Sequence, residues 1–315
     1  MKMYNIGMVG LNPGNGHPYS FSAVFNGFNQ DALDEFCEFS LIRKYLRDFH
    51  DGRDFIPEAR VSHIWTENAD VSRKIAAVSR IPHIASSLDE LVESVDAILF
   101  ARDDVWNHWE MSKKIFASGK PLFMDKLLSP DRSELAHFAE CAHNYPLMTS
   151  SSFRWSALVD AAAQLLSSAE LATVYGAAPC IWERYAPHLL EPLFHLIGNQ
   201  VVSVQNAGAE NADTVILTFA NGVQAVLQVF ERLSLPLELT FRFRGDHPPY
   251  TMPYTDPTLE HYFFSIVKMM KEFTGMLKTG ITPTPLQNTL LLNKVVIAAL
   301  ESRQNNGKKI RISRK

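Results

Sequence analysis

The residues of this chain best suited to chemistry are Lys126, His188 and a glycine-bearing run near its start. An imidazole titrates near neutrality, so His188 can take a proton from a hydroxyl group without help. An amine needs its charge suppressed to do the same, and otherwise serves as a hydrogen-bond donor that orients an oxygen. Both residues are therefore assigned catalytic and substrate-binding roles. The run from Tyr4 to His17 places Gly10, Gly14 and Gly16 where an apolar strand must turn into a helix. Such a turn brings backbone N–H groups to a diphosphate at the positive end of a helix. The spacing departs from G-x-G-x-x-G, because Asn12 replaces the second glycine and Pro13 removes one donor.

Further candidates follow from position. The strand read over 61–65 ends in Thr66 and Glu67. An acid there holds ribose hydroxyls, whereas a threonine in that place would let a 2′-phosphate in without repulsion, so either cofactor form stays open. Arg102 and Asp103 after the fourth strand, His108 beyond them, and Asp125 beside Lys126 are read as facing the same ligand. Arg154 and Arg184 are cations able to grip a carboxylate or phosphate with two prongs, and are read as substrate-binding. Trp155, Trp182, Tyr185, Tyr250 and Tyr254 suit either stacking on a sugar face or core packing. His195 is read as packing or as a partner of a helix C-terminus.

Short apolar runs at 4–9, 61–65, 97–100, 121–124 and 147–149 alternate with helical patterns at 21–28, 71–79, 87–92, 107–117 and 131–142. That alternation predicts a doubly wound parallel sheet over 1–150, with an insertion at 30–58. Ser87 with Glu90 reads as a capping box, and Ser129 before Pro130 as an N-cap. Past 150 the pattern changes to a helix at 156–167, strands at 173–180, 201–207 and 237–243, and a hairpin around Asn221-Gly222. A helix over 187–197 would put His188 at its start, and the last two helices would begin at Asp256-Pro257 and Thr284-Pro285. The expected second domain, 151–315, is α+β with an open, mostly antiparallel sheet. Its uncovered face predicts a homodimer or homotetramer.

Composition narrows the function classes. The 315 residues are 46% hydrophobic and 20% charged with net charge -4, the profile of an ordinary globular chain. No basic stripe exists to neutralise a phosphate backbone, so nucleic acid is not an expected partner; the basic tail 308–315 is the one exception, and such a tail is more often a solvated terminus than a binding arm. Cys37, Cys141 and Cys180 lack metal or disulfide spacing, so no metal is expected. No apolar run reaches the roughly 18 residues that span a bilayer, so no membrane partner is expected and the cytoplasm is the expected compartment.

The segment Gly119-Lys-Pro-Leu-Phe-Met-Asp125-Lys126-Leu127 resembles the Glu-Lys-Pro signature of the Gfo/Idh/MocA oxidoreductases. Ser152-Phe-Arg154 is similar to the Arg-Phe segment that opens their second domain, and His188-x-x-Glu191 followed by Gly198 to their His-x-x-Asp stretch. The resemblance implies a Rossmann domain binding NAD or NADP, a second domain for a sugar-like small molecule, and hydride transfer to or from a CH–OH group. It places Lys126 beside nicotinamide and substrate. Arg184 stands where many members carry an aspartate, and an arginine cannot accept a proton. That departure, with Asp-Lys-Leu for the signature, gives weight to an alternative: a cofactor-binding regulator or scaffold without turnover.

Overall fold

The computed structural model describes residues 2–254 and 259–313, so the cap read at Asp256-Pro257 lies outside the described residues. The chain divides into two compact units: Met1–Leu128 with Ala136–Thr149 and Ile266–Leu286, and Ser129–Leu135 with Ser150–Ser265 and Gln287–Lys315.

The first unit alternates strand and helix: β1 (Tyr4–Val9), α1 (His17–Asn26), α2 (Gln30–Phe36), α3 (Ser40–Phe49), β2 (Ala59–Trp65), α4 (Ala69–Val78), β3 (His83–Ile84), α5 (Leu88–Ser94), β4 (Ala97–Phe100), α6 (His108–Ala117), β5 (Leu122–Met124), α7 (Arg132–Cys141) and β6 (Leu147–Thr149). The strands form one parallel sheet in the order β3-β2-β1-β4-β5-β6. This is the expected doubly wound arrangement. All four residues of β4 are buried, since helices cover both faces of a parallel sheet. The expected insertion supplies α2 and α3, which pack against α4 and α1.

Several local readings are corrected. Helix α1 starts at His17, with Pro18 in its first turn, four residues before the expected position. The cap of α7 is Asp131, whose Oδ1 accepts the N–H groups of Ser133 and Glu134 at 2.8 and 3.0 Å; Ser129 instead accepts the N–H of Asp131. An aspartate two positions on reaches the free donors of that first turn, which Ser129 does not.

In the second unit a 3₁₀ turn (Ser152–Trp155) leads to α8 (Ala157–Leu166), β7 (Leu171–Pro179), α9 (Trp182–Ile197), β8 (Val201–Asn206), β9 (Ala212–Phe219), β10 (Gln224–Phe230), β11 (Glu238–Phe243) and β12 (Tyr250–Pro253). Then come α10 (Leu259–Thr279), whose residues from Ile266 on belong to the first unit, α11 (Leu286–Gln304) and β13 (Ile310–Arg311). The seven-stranded sheet runs β12-β11-β7-β10-β9-β8-β13, antiparallel throughout except for the β7–β10 pair. Along β9, Asp213, Val215, Leu217 and Phe219 are buried and alternate with half-buried Thr214, Ile216 and Thr218, so one face of the sheet is the core face. The hairpin turns through three residues rather than two. Gly222 has φ 85° while Asn221 keeps a negative φ, and the Gly222 N–H donates to the Phe219 carbonyl at 3.0 Å. Only Gly222 therefore needs the left-handed region.

Asn26 ties three elements of the first unit together. Its Nδ2 donates to the carbonyls of Val61 and Ser79 at 2.8 and 3.1 Å, and its Oδ1 accepts the Val61 N–H at 3.0 Å. Asn26→Ala leaves these backbone groups unpaired and is expected to lower the unfolding free energy by about 1–3 kcal/mol in urea melts; an unchanged midpoint would refute that role.

Candidate active site

The site in the first unit is assembled at the carboxyl ends of β1, β4 and β5, which are adjacent in the sheet. Lys126 follows β5 and is 2% exposed, so its ammonium must find charge partners inside the protein. Nζ lies 3.4 Å from Asp125 Oδ1 and 3.8 Å from Asp103 Oδ2. Two carboxylates at that range give the side chain opposite charge to face, and the amine is placed to donate a hydrogen bond. Asp103 is locked by a reciprocal pair: Asn12 Nδ2 donates to its Oδ1 at 2.8 Å, and its own N–H donates to Asn12 Oδ1 at 3.0 Å.

Asp125 is held from three sides. Its Oδ1 accepts the Lys126 N–H at 2.9 Å, and its Oδ2 accepts Asn15 Nδ2 at 3.3 Å and pairs with His17 Nδ1. Burial pushes the Asp125 carboxyl up, but the charges of His17 and Lys126 and the bonds from His17 and Asn15 outweigh it and hold it well below the usual carboxylate range. His17 stacks on Phe21 with ring centroids 4.7 Å apart. Sequence reasoning missed Asn15 and His17 as site residues, because nothing local shows that β5 delivers Asp125 onto the first turn.

The glycine turn carries backbone N–H groups that could hold a diphosphate. Gly14 has φ 79° and is exposed, and no acceptor among the described residues takes the amide N–H of Gly14 or Gly16. These unpaired N–H groups lie in the turn just before a ten-residue helix, at its positive end. Gly10 has no room for a side chain, since a Cβ would lie 2.5 Å from Pro18 Cγ. Gly16 is small for a different reason: a Cβ there would meet Ile42 and Phe39 of the insertion at 2.3 and 2.7 Å.

At the end of β2 the structure separates two residues the sequence left equivalent. Thr66 is 5% exposed, and its hydroxyl bonds to the Asn68 carbonyl at 2.6 Å and to Ser72 Oγ at 2.9 Å. It is committed to starting α4. Glu67 is 65% exposed and accepts Arg102 Nη1 at 2.9 Å. His108 is fully buried, with Nε2 at 3.0 Å from the Arg102 carbonyl, and burial pushes its pKa below the ordinary value. It supports the turn carrying Arg102 and Asp103 from beneath.

In the second unit the 3₁₀ turn packs against α9, which brings Ser151 to His188 and Glu191. His188 Nδ1 lies 2.6 Å from Ser151 Oγ, while Glu191 Oε2 accepts Ser150 Oγ and the Ser151 N–H at 2.7 and 2.8 Å. The expected start of this helix at 187 is corrected. Helix α9 begins at Trp182 and carries Pro187 inside it, so His188 sits beyond the first turn and the helix-terminus argument for its neutral form falls. Pro187, which often marks a first helical position, misled the reading. Arg184 instead occupies the first turn of α9. Arg154 lies over the Trp155 ring at 5.2 Å, and its buried Nε has no hydrogen-bond partner among the described residues. Trp182 and Tyr254 are core residues, Trp182 donating to the Val296 carbonyl at 3.2 Å. His195 lies exposed in the last turn of α9.

No family model and no curated protein matches this sequence. Solved structures do. Myo-inositol 2-dehydrogenase from Lactobacillus plantarum superposes with TM-score 0.75 at 12% identity, covering 99% of this chain and 100% of that one. The chain shares the fold of inositol dehydrogenases. Myo-inositol dehydrogenase from Lactobacillus casei, solved with NAD(H) and myo-inositol, gives TM-score 0.74 at 11% identity over 99% and 97% of the two chains. An oxidoreductase from Agrobacterium radiobacter, solved with NAD+, L-tartaric acid and magnesium, gives 0.72 at 16% over 98% of each. The two-domain fold expected from the sequence is thus the fold of these solved structures. Among the described residues, no helix is long and apolar enough to cross a membrane.

Asp125 gives this site a pH signature. Its folded-state pKa is depressed, so its stabilising contribution is present above the ordinary carboxylate range and is lost as pH falls through the folded value. Asp125→Asn is expected to lower stability by about 3 kcal/mol at neutral pH, as expected for breaking a buried ion pair, and the gap should begin to narrow below about pH 4 and go on narrowing as pH falls toward the folded value. Urea melts at pH 7 and pH 3 check this, and a pH-independent gap would refute it.

Proposed function

We propose that this chain is a nicotinamide-dinucleotide-dependent oxidoreductase acting on a CH–OH group of a small polyol, sugar or sugar acid. The observation that carries the reading is the buried Lys126 held between Asp103 and Asp125 at the carboxyl edge of the parallel sheet, beside a turn with unpaired N–H groups. Ligands of such sheets bind outside that edge. The dinucleotide, when bound, supplies the hydride acceptor or donor.

The turn from Gly10 to Gly16 binds the diphosphate, with Asn12 holding Asp103 in place. Lys126 acts as a charged donor that orients the substrate oxygen and stabilises negative charge on it. In the second unit His188 is the acid–base candidate, its ring fixed by the bond between Nδ1 and Ser151. Arg154 binds a carboxylate or phosphate of the substrate, because its unpaired Nε asks for an acceptor. Arg184 is a weaker candidate for that role, being already engaged within the protein. The alternative of a scaffold without turnover finds no support in the structural neighbours.

The half-buried row Tyr175, Val226 and Ile216 on the outer sheet face supports self-association of the second unit, as a dimer or tetramer. Sedimentation showing a monomer at micromolar concentration would refute it.

The deciding experiment is fluorescence titration with NADH and NADPH, followed by absorbance assays at 340 nm on a panel of polyols and sugar acids. Lys126→Met and His188→Asn are each expected to cut kcat about 10²–10⁴-fold while dinucleotide affinity survives in His188→Asn. Arg154→Met should raise KM for acidic substrates and leave neutral ones unaffected. Absence of dinucleotide binding would overturn the reading.

A further inference from the structure

The bond between Ser151 and His188 decides which ring nitrogen carries the proton. Ser151 is 1% exposed, so its hydroxyl must find partners inside the protein. It caps the 3₁₀ turn, where its Oγ accepts the Phe153 N–H at 3.2 Å, and the same oxygen lies 2.6 Å from His188 Nδ1. A hydroxyl has a single hydrogen to give. Among the described residues, His188 Nδ1 is the one group placed to accept it. The neighbouring Glu191 carboxylate is reached by other donors. Its Oε2 accepts the Ser151 N–H at 2.8 Å and Ser150 Oγ at 2.7 Å, and Ser150 Oγ in turn accepts Trp155 Nε1 at 2.9 Å. The imidazole is flanked by the Tyr185 ring, with centroids 5.2 Å apart.

We infer that Ser151 is a positioning residue that holds the neutral His188 ring with its proton on Nε2, so that the ring meets a ligand as a hydrogen-bond donor to a carbonyl or carboxylate oxygen. The inference rests on, and deepens, the reading of His188 as the acid–base candidate. Were Nδ1 to carry the hydrogen, it would donate to Ser151 Oγ. That oxygen would then accept two bonds while its own hydrogen stayed buried without an acceptor, a costly arrangement. With Oγ–H donating to Nδ1, the hydroxyl and Nδ1 are both satisfied, and the bond made by one ring nitrogen sets the proton on the other. Such a ring has no lone pair on Nε2 to take up a hydroxyl proton, whereas its N–H can polarise a carbonyl oxygen, as a neutral imidazole does. The favoured substrate class is thus the carbonyl form of a polyol or sugar acid rather than the alcohol.

Long-range proton–nitrogen correlation spectra of the full chain with isotope-labelled histidine, recorded where the ring is neutral, read the tautomer directly, and the signals lost in His188→Asn assign it. The wild type and Ser151→Thr, which keeps the hydroxyl, are expected to show a pyrrole-type Nε2 and a pyridine-type Nδ1, with no detectable Nδ1–H form. Ser151→Ala is expected to admit the Nδ1–H form at a detectable share, and to raise KM for carbonyl substrates about tenfold while NADH affinity is unchanged. A pyrrole-type Nδ1 in the wild type, or a Ser151→Ala spectrum identical to that of the wild type, overturns the inference; an unchanged KM overturns the donor role. If melting curves show Ser151→Ala unfolded, the wild-type and Ser151→Thr spectra decide. Absence of NADH binding overturns the oxidoreductase reading, whereas the tautomer stands or falls on the spectrum alone.

Discussion

An ammonium group buried at 2% exposure between two carboxylates sets the terms for the first unit. Taking such a group out of water is costly unless its partners are fixed, and here they are fixed by backbone geometry rather than by flexible side chains alone. Asp125 and Lys126 are consecutive residues leaving β5, and Asp103 leaves β4, the next strand in the sheet. The third contribution comes from the turn after β1, where Asn12 grips Asp103 while Asn15 and His17 grip Asp125. One polar cluster thus ties the glycine turn to the lysine. A shift in any of the three strands would leave a charge inside the protein without its partner.

The same logic explains why the glycines do different things. Gly10 yields to Pro18 of the helix that follows, Gly14 takes a left-handed backbone at the surface, and Gly16 yields to Ile42 and Phe39. The insertion carrying those two residues therefore braces the turn as well as extending the surface. Glycine spacing in the sequence mixes these three causes, which is why it departs from the usual fingerprint.

Charged groups at the carboxyl edge are sorted by whether they are already satisfied. Arg102 has two carboxylates, and Thr66 has a backbone and a hydroxyl partner. Glu67 on one unit and Arg154 on the other keep an unpaired polar atom among the described residues. Side chains with unmet hydrogen-bonding capacity are where a ligand gains most, and those already saturated act by holding the others in place.

The sequence alone determined the alternation of buried strands and helices, because a strand covered on both faces must be continuously apolar and its helix must carry a periodic stripe. It also pointed to Lys126, Asp125, Asp103 and the glycine turn as candidates, by their places after those strands and by the resemblance of Asp125-Lys126-Leu127 to Glu-Lys-Pro. What it could not determine were pairings across the chain: His17 with Asp125, 108 residues apart, and Arg102 with Glu67, 35 apart. Helix caps and starts were partly misread at Ser129 and Pro187, where a local signal had more than one structural use. Only tertiary structure decided these, since strand order in a parallel sheet sets which loops meet, and no local spacing encodes that order.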